Sequence, residues 1–305
     1  MSFPENLRRR RLELGLSQDE LALKLGYKSK SSIARLEAGE TDVSSSKLKR
    51  IALIMNTTSD ELIGTTSDSI SAKDYKNIVI IQAGGKSTRN MMNIPNQFIL
   101  VDEKPIVVYV MEAYQKHPDI DAIYISCLGG WESILRSYAK RFGISKLKNI
   151  VTGGDTILAS TKNSIQSIPD IKKNDRIILQ ESTRPLITQG LISKLLSSYE
   201  KYGSSVLVKA MLDYVTIDIK EDIAKYLDRE ATHILESPEI YCYSTIQNTL
   251  QEAFDKHMVD NNSSMAMLMH KLMKPIHYCE SNANNIKIIR QEDVYMFKTL
   301  KNIIL

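Results

Sequence analysis

Apolar positions along the chain follow two rhythms, and the rhythm changes near residue 64. Before that point Leu7, Leu14 and Leu16, then Leu21, Ala22 and Leu25, then Ile33 and Leu36, then Leu48, Ile51, Ala52 and Met55 recur at helical spacings, in short segments broken by Gly15, Gly26 and Gly39. This pattern predicts a small bundle of about five short helices. From residue 76 onward strands alternate with helices. Residues 77–81 have the continuous apolar character of a buried strand, 105–114 read as a helix, 122–126 as a strand, 131–142 as a helix and 176–179 as a strand. Such alternation predicts a parallel sheet covered by helices. Between the two regions, residues 64–75 are small, polar and without apolar periodicity, which marks a linker. The expected organisation is a helical module over 1–64, a linker over 65–75 and an α/β domain over 76–305.

Composition then narrows the class. Apolar residues make up 43% of the chain and charged residues 25%, values of a globular protein able to bury a core and far from those of a disordered chain. Forty Lys and Arg against thirty-six Asp and Glu leave a formal charge of +4, too weak over 305 residues to imply nucleic-acid binding by itself. Any DNA contact must come from a local patch. The longest apolar stretches, 78–81 and 105–111, fall far short of the ~20 residues needed to cross a bilayer. Arg8 to Arg11 have no apolar run behind them, so a cytoplasmic protein with no membrane partner is expected. Cys127, Cys242 and Cys279 are widely spaced and form no CxxC pair, which points to reduced core residues rather than a disulfide framework or a zinc site.

In the helical module, Ser17 precedes Gln18-Asp-Glu-Leu-Ala-Leu-Lys-Leu25, with Glu20 at the third helical position, which predicts a capping box. Gly26 closes that helix. Ser31 or Ser32 then caps a second helix through Ile33, Ala34, Arg35, Leu36 and Glu37, ended by Gly39. Two short helices joined by a tight turn make a helix-turn-helix. The stretch from Leu16 through Gly26-Tyr-Lys-Ser-Lys-Ser-Ser-Ile-Ala-Arg-Leu-Glu-Ala-Gly39 resembles the Cro/cI repressor family over about residues 5 to 63. The resemblance implies that Lys28, Ser29, Lys30, Ser32 and Arg35 face base edges of double-stranded DNA, with Gln18 at the phosphate backbone. Arg8 to Arg11 add a basic cluster near the groove.

In the second domain the first strand runs into Gln82-Ala83-Gly84-Gly85-Lys86-Ser87-Thr88-Arg89, followed by Pro95-Asn96-Gln97-Phe98. Glycines directly after a buried strand leave amides open to a phosphate, and a following arginine supplies charge, so a nucleotide is the expected ligand. A tight strand-to-helix turn explains the same residues. Together with Gly153-Gly154 and Ser160, Gln180-Glu-Ser-Thr-Arg184-Pro185, Asp228-Arg229 with Ser237-Pro238, and Asn285-Ile-Lys287 with Glu292-Asp293, the segment resembles the cytidylyltransferases that act on methylerythritol phosphate or ribitol phosphate, over about residues 76 to 302. The Ala-Gly-Gly-x-x-Thr-Arg spacing is nearer the ribitol phosphate branch.

That resemblance implies a doubly wound, Rossmann-like nucleotidyltransferase domain, CTP and magnesium as reaction partners, and a homodimer. Residue by residue it implies nucleotide contacts at Ala83, Gly84, Gly85, Arg89, Gly154 and Ser160; Lys86, inside the loop, is a further nucleotide-binding candidate by its place in the sequence. It puts Arg184, Asp213 and Arg229 on the substrate side, and Arg89 and Lys287 in the catalytic role. Several positions depart from the pattern. The lysine expected after Pro95 is Asn96, the second loop glycine is Ser87, and the arginine expected after Gly153-Gly154 is Ile157. The aspartate before Ser182 is Glu181, Tyr214 follows Asp213, and Glu236 and Glu239 flank Ser237-Pro238. Asp260 is the nearest carboxylate to the expected magnesium ligand, and no metal ligand is assigned. His233 and His270 read as surface residues.

Loss of cationic groups from a phosphoryl-transfer site removes charge stabilisation, which for one preorganised donor is commonly worth ~100–1000-fold. The sequence therefore reads as a DNA-binding transcriptional regulator whose cytidylyltransferase-like domain serves as a sensor or dimerisation unit. The alternative is an active CTP-dependent cytidylyltransferase of ribitol 5-phosphate or methylerythritol phosphate that carries a DNA-binding module.

Overall fold

The computed structural model describes residues 3–27, 29–41, 43–55, 57, 59–63, 73–86, 94–220, 223–258 and 263–305. The chain divides into two compact units, Met1–Asp74 and Tyr75–Leu305. Most of the expected linker lies outside the described residues, and its last residue, Tyr75, belongs to the second unit. There the Arg176 guanidinium lies over the Tyr75 ring, 3.6 Å from its centre.

The first unit contains α1 (Phe3–Glu13), α2 (Gln18–Lys24), α3 (Ser31–Glu37), α4 (Ser45–Ile54) and α5 (Ser59–Ile63). Leu7, Leu21, Ala22, Ile33, Leu36, Ile51, Met55 and Leu62, drawn from all five helices, form its core. The capping box is present: Ser17 Oγ accepts from the Glu20 amide, and the Glu20 carboxylate accepts from the Ser17 amide at 2.7 Å. The hydroxyl cap expected for the second helix is not. Lys30 occupies the cap position with no side-chain cap bond, because the Ser29 and Ser31 hydroxyls pair with each other at 2.6 Å.

The second unit runs β1 (Asn77–Ala83), a 3-10 turn (Asn96–Phe98), β2 (Leu100–Val101), β3 (Lys104–Pro105), α6 (Ile106–Lys116), β4 (Ala122–Cys127), α7 (Glu132–Arg141), β5 (Leu147–Thr152), α8 (Ile157–Gln166), β6 (Arg176–Glu181) and α9 (Gln189–Tyr202). It continues through β7 (Ser204–Ala210), β8 (Thr216–Lys220), β9 (Ile223–Tyr226), β10 (His233–Cys242), α10 (Tyr243–Asp255), α11 (Met265–Lys271), β11 (Tyr278–Glu280) and α12 (Gln291–Ile304). Seven strands form one sheet in the order β11-β7-β10-β6-β1-β4-β5. The expectation of a parallel sheet needs correction here: β10 runs antiparallel to both β6 and β7. The connection from β7 carries the β8–β9 hairpin instead of a crossover helix, so the chain re-enters the sheet in the opposite direction.

One face of the sheet packs against α6, α7 and α9, through Val107, Val110, Tyr114, Leu135, Ile192 and Leu195. The other packs against α8, α10 and α11, through Leu158, Ile165, Ile246, Leu250, Met265 and Leu268. Both faces being covered explains why the central strands read as continuous apolar runs. α12 closes over the β2–β3 hairpin, burying Phe297 against Tyr109 with the rings edge to face at 5.0 Å. The three cysteines are free thiols, Cys127 and Cys279 buried and Cys242 half-buried. Among the described residues, no helix is long and apolar enough to cross a membrane.

Candidate functional site

From β1 the chain passes outward to β4 and β5, then returns to place β6 on the other side of β1. In open α/β sheets the crevice at such a reversal, at the carboxyl ends of the strands, is where ligands bind. A cavity of about 710 Å³ opens there. Its walls come from strand ends: Gly84, Gly85 and Lys86 after β1, Ser126 and Gly129 at β4, Gly153 to Ile157 after β5, and Glu181 to Thr183 at β6, with Lys287 to Ile289 laid across.

Glycine is required where the turn after β5 folds back on the first turn of α8. A Cβ on Gly154 would stand 2.7 Å from the Ala159 Cβ, and one on Gly153 would stand 3.1 Å from Ser160 Oγ. Ser160 holds this turn: its Oγ accepts from the Gly154 amide at 3.0 Å and donates to the Thr156 carbonyl at 2.9 Å. Beside it, Thr156 caps α8 by accepting from the Ala159 amide at 3.0 Å.

Charge on the opposite wall is arranged as a chain. Glu181 accepts from Arg184 Nε at 2.6 Å and pairs with Lys287 Nζ, while Arg184 also lies 3.3 Å from Glu236 and donates to the Asn285 carbonyl at 2.7 Å. Burial works to raise the Glu181 pKa, but the Arg184 and Lys287 charges outweigh it and hold the carboxyl below its ordinary range. Glu181 is therefore an ionised anchor that orients Lys287 toward the cavity wall.

The structure brings Gly84, Gly85, Lys86, Gly154, Ser160 and Lys287 together around this cavity. Four other expected site residues are elsewhere. Ala83 is buried, its carbonyl accepting from the Leu128 amide at 3.0 Å and from Gln97. Arg184 is buried among Glu181, Glu236 and Asn285, behind the cavity wall. Asp213 and Arg229 are exposed on the segments that flank the β8–β9 hairpin, where the Arg229 guanidinium lies 5.2 Å from the Tyr214 ring centre, and neither lines the cavity. Arg89 and Ser87 lie outside the described residues, as does Asp260. Among the described residues no three His, Cys, Asp or Glu side chains gather as a metal site, and Glu181 is already held by two cations. The described residues of the cavity do not fit a resident divalent cation. His233 and His270 are exposed, as expected.

Sequence reasoning missed the parts played by Gln97 and Ser126. Gln97 Nε2 donates to the carbonyls of Ala83 and Gly85, at 2.9 and 3.0 Å, and so holds the glycine loop. Its place in the Pro95-Asn96-Gln97-Phe98 segment was the available signal. Ser126 is fully buried in the cavity wall with no partner for its hydroxyl, and nothing in the sequence distinguishes it from the apolar strand around it.

In the first unit Ser29, Lys30 and Arg35 are exposed at and along α3, and Ser32 is half-buried. Lys28 lies outside the described residues. Gln18 is turned inward: its Nε2 donates to Glu37 at 2.8 Å. The expected basic cluster is also smaller than its sequence, since Arg11 is buried in a two-bond pair with Glu37, at 2.6 and 3.0 Å, and Arg10 donates to the Met55 carbonyl at 3.0 Å. Arg8 and Arg9 remain exposed.

Comparison with known proteins gives two family matches, 2-C-methyl-D-erythritol 4-phosphate cytidylyltransferase over residues 77–300 and helix-turn-helix over residues 7–62. The ribitol-5-phosphate cytidylyltransferase of Lacticaseibacillus paracasei is 30% identical over 226 residues, covering 72% of this chain and 95% of that protein. The 2-C-methyl-D-erythritol 4-phosphate cytidylyltransferase of Clostridium tetani is 30% identical over 222 residues, covering 72% and 87%. The crystal structure of the Francisella tularensis 2-C-methyl-D-erythritol 4-phosphate cytidylyltransferase superposes with a TM-score of 0.62 at 19% identity, over 75% of this chain and 100% of that one. That last likeness establishes the fold alone.

Proposed function

Because the chain belongs, over residues 77–300, to the 2-C-methyl-D-erythritol 4-phosphate cytidylyltransferase family and carries a helix-turn-helix at residues 7–62, we propose that it is a CTP-dependent cytidylyltransferase of ribitol 5-phosphate fused to a DNA-binding module. The observation that carries the reading is the convergence of the Gly84-Gly85 loop, Lys86 and Lys287 on one open cavity at the carboxyl ends of the strands. Ribitol 5-phosphate is preferred over methylerythritol phosphate because the Ala83-Gly84-Gly85-x-x-Thr88-Arg89 spacing is nearer the ribitol phosphate branch, and the ribitol enzyme of L. paracasei is matched at 30% identity over 95% of its length.

In the proposed reaction an oxygen of the sugar-alcohol phosphate attacks the α-phosphorus of CTP. The bond from that phosphorus to the bridging oxygen breaks, and pyrophosphate leaves with the electron pair. Such transfers ask the protein for positioning and charge, with little covalent work. Amides of the Gly84-Gly85 loop face the triphosphate in this reading. Lys86 and Lys287 offset charge on the transferring oxygens.

One observation favours a second reading. Asn96 stands where the family motif carries a lysine, and its amide is committed to the carbonyls of Ile288 and Ile289, so position 96 brings no charge to the oxyanion. The domain would then bind CTP without turnover and act as a sensor for a transcriptional regulator. In both readings the exposed Lys30 and Arg35 contact DNA, and a homodimer would present two recognition helices to half-sites about one helical turn apart. The exposed Leu212, Tyr214, Tyr226 and Leu227 around the hairpin support a second copy as partner.

Pyrophosphate release by the full-length chain from CTP and ribitol 5-phosphate, with magnesium present, tests the proposal. Release establishes the transferase. Calorimetric CTP binding without release supports the sensor, and neither binding nor release removes both.

A further inference from the structure

Two separate stretches of chain make the cleft between the glycine loop and Lys287, and both are tied to the same 3-10 turn. Gln97 Nε2 donates to Ala83 and Gly85 on the loop. Its neighbour Asn96 points the other way: its Nδ2 donates to the Ile288 carbonyl at 3.2 Å and the Ile289 carbonyl at 3.1 Å, on the two residues that follow Lys287. A carboxamide nitrogen carries two donor hydrogens, so each amide commits both of them to one wall. Both side chains are buried, and the turn itself is anchored by Phe98, whose ring stacks on Trp131 at 4.4 Å. The Lys287 stretch has further ties close by, from the Ile288 amide to the Thr183 carbonyl at 2.8 Å and from the Ile289 amide to Asp293 at 2.8 Å.

We propose that Asn96 and Gln97 form a two-armed staple that sets the width of the phosphate cleft, with Asn96 acting as a positioning residue for Lys287. The inference rests on the nucleotidyl-transfer reading of the cavity. It gives the neutral residue at position 96 a part in the site: the residue supplies no charge itself and fixes the backbone from which Lys287 reaches the phosphates. Lysine would fill this part less well, because its three donors sit on a compact ammonium at the end of a flexible stem, without the planar pre-organisation of a carboxamide. Aspartate would face those carbonyls with acceptors only.

The test is a double-mutant cycle on the full-length chain, with Asn96→Ala, Lys287→Ala and the pair, reading kcat and KM for CTP by pyrophosphate release and the melting temperature alongside. Misplacement of a reacting group by about 1 Å costs up to ~100-fold, so Asn96→Ala is expected to lower kcat about 10- to 100-fold with little change in KM. In the Lys287→Ala background the same change should cost nothing further. Asn96→Asp should match or exceed the loss from Asn96→Ala. Multiplicative losses in the pair, or an unchanged kcat for Asn96→Ala, overturn the inference while leaving the transferase reading intact. Should Asn96→Ala not melt cooperatively, Asn96→Ser takes its place in the cycle with the same expectations. If the wild-type chain releases no pyrophosphate, the transferase reading fails and the cycle is read in CTP dissociation constants, where non-additivity sustains the staple and additivity overturns it. A wild-type chain that binds no CTP overturns both.

Discussion

Glu239 is buried on β10, where its carboxylate accepts from the Tyr241 hydroxyl at 2.8 Å and from the Ala266 amide at 2.9 Å. Burial pushes its pKa up to about 7, and the Glu181 charge acts in the same direction. The ordinary glutamate value is ~4.3, so the folded state keeps a proton that the unfolded chain has lost; stability present below ~4.3 drains away as pH rises through about 7. Glu239→Gln should therefore melt higher than wild type at about pH 8, with the gap narrowing toward pH ~5, in thermal scans across that range. Glu181 has the opposite sign. Its lowered pKa means stability present above ~4.3 and lost as pH falls through its folded value. Gly154 offers a steric test: Gly154→Ala brings a methyl to 2.7 Å from the Ala159 Cβ, an overpacking expected to cost about 1–3 kcal/mol and to weaken CTP binding measured by calorimetry.

In the first unit Ser17 caps α2, and Arg11 of α1 pairs with Glu37 of α3. Removing the Ser17 cap by Ser17→Ala should cost ~1 kcal/mol, read in the melt of that unit. Arg11→Ala should cost more, about 3–5 kcal/mol, because it leaves the Glu37 carboxylate buried without its cation. Burial acts to raise the Glu37 pKa, while hydrogen bonds from Arg11 and Gln18 prevail and hold it low. The elements themselves were legible where apolar periodicity was strong, as in α6 and β1, whose buried residues are the ones the pattern marked. The direction of β10 was not. A strand's residues report that it is buried, and its direction follows from the path of the connection that precedes it. The cap of α3 escaped for a related reason, since two neighbouring hydroxyls had a choice of partner and took each other.

Each of the two units has a hydrophobic core drawn from its own residues. Damage to one should leave the other's ligand alone. Arg11→Ala is expected to abolish binding to a DNA fragment from the protein's own promoter region in gel-shift assays, while CTP binding stays within about twofold of wild type, since each unit is held by its own core. Loss of CTP binding in that variant would count against the independence of the units. Lys30→Ala should narrow the preference for that fragment over a scrambled duplex in competition gel shifts, by the ~1–3 kcal/mol that a base-facing side chain contributes to discrimination.

The sequence alone determined the division into a helical module and an α/β unit, the capping box at Ser17 and the strand-to-glycine-loop segment, because periodicity, caps and glycines are local properties read within a few turns of chain. It also held the family resemblance, which rests on motifs in order along the chain. Tertiary structure decided what those residues face. It buried Arg11 with Glu37, moved Arg184 behind the cavity wall, left Asp213 and Arg229 on the flanks of the hairpin, and committed the Asn96 amide to carbonyls that lie 192 and 193 residues further along the chain. A donor's role is set by the acceptor it meets, and the acceptor is chosen when the sheet assembles.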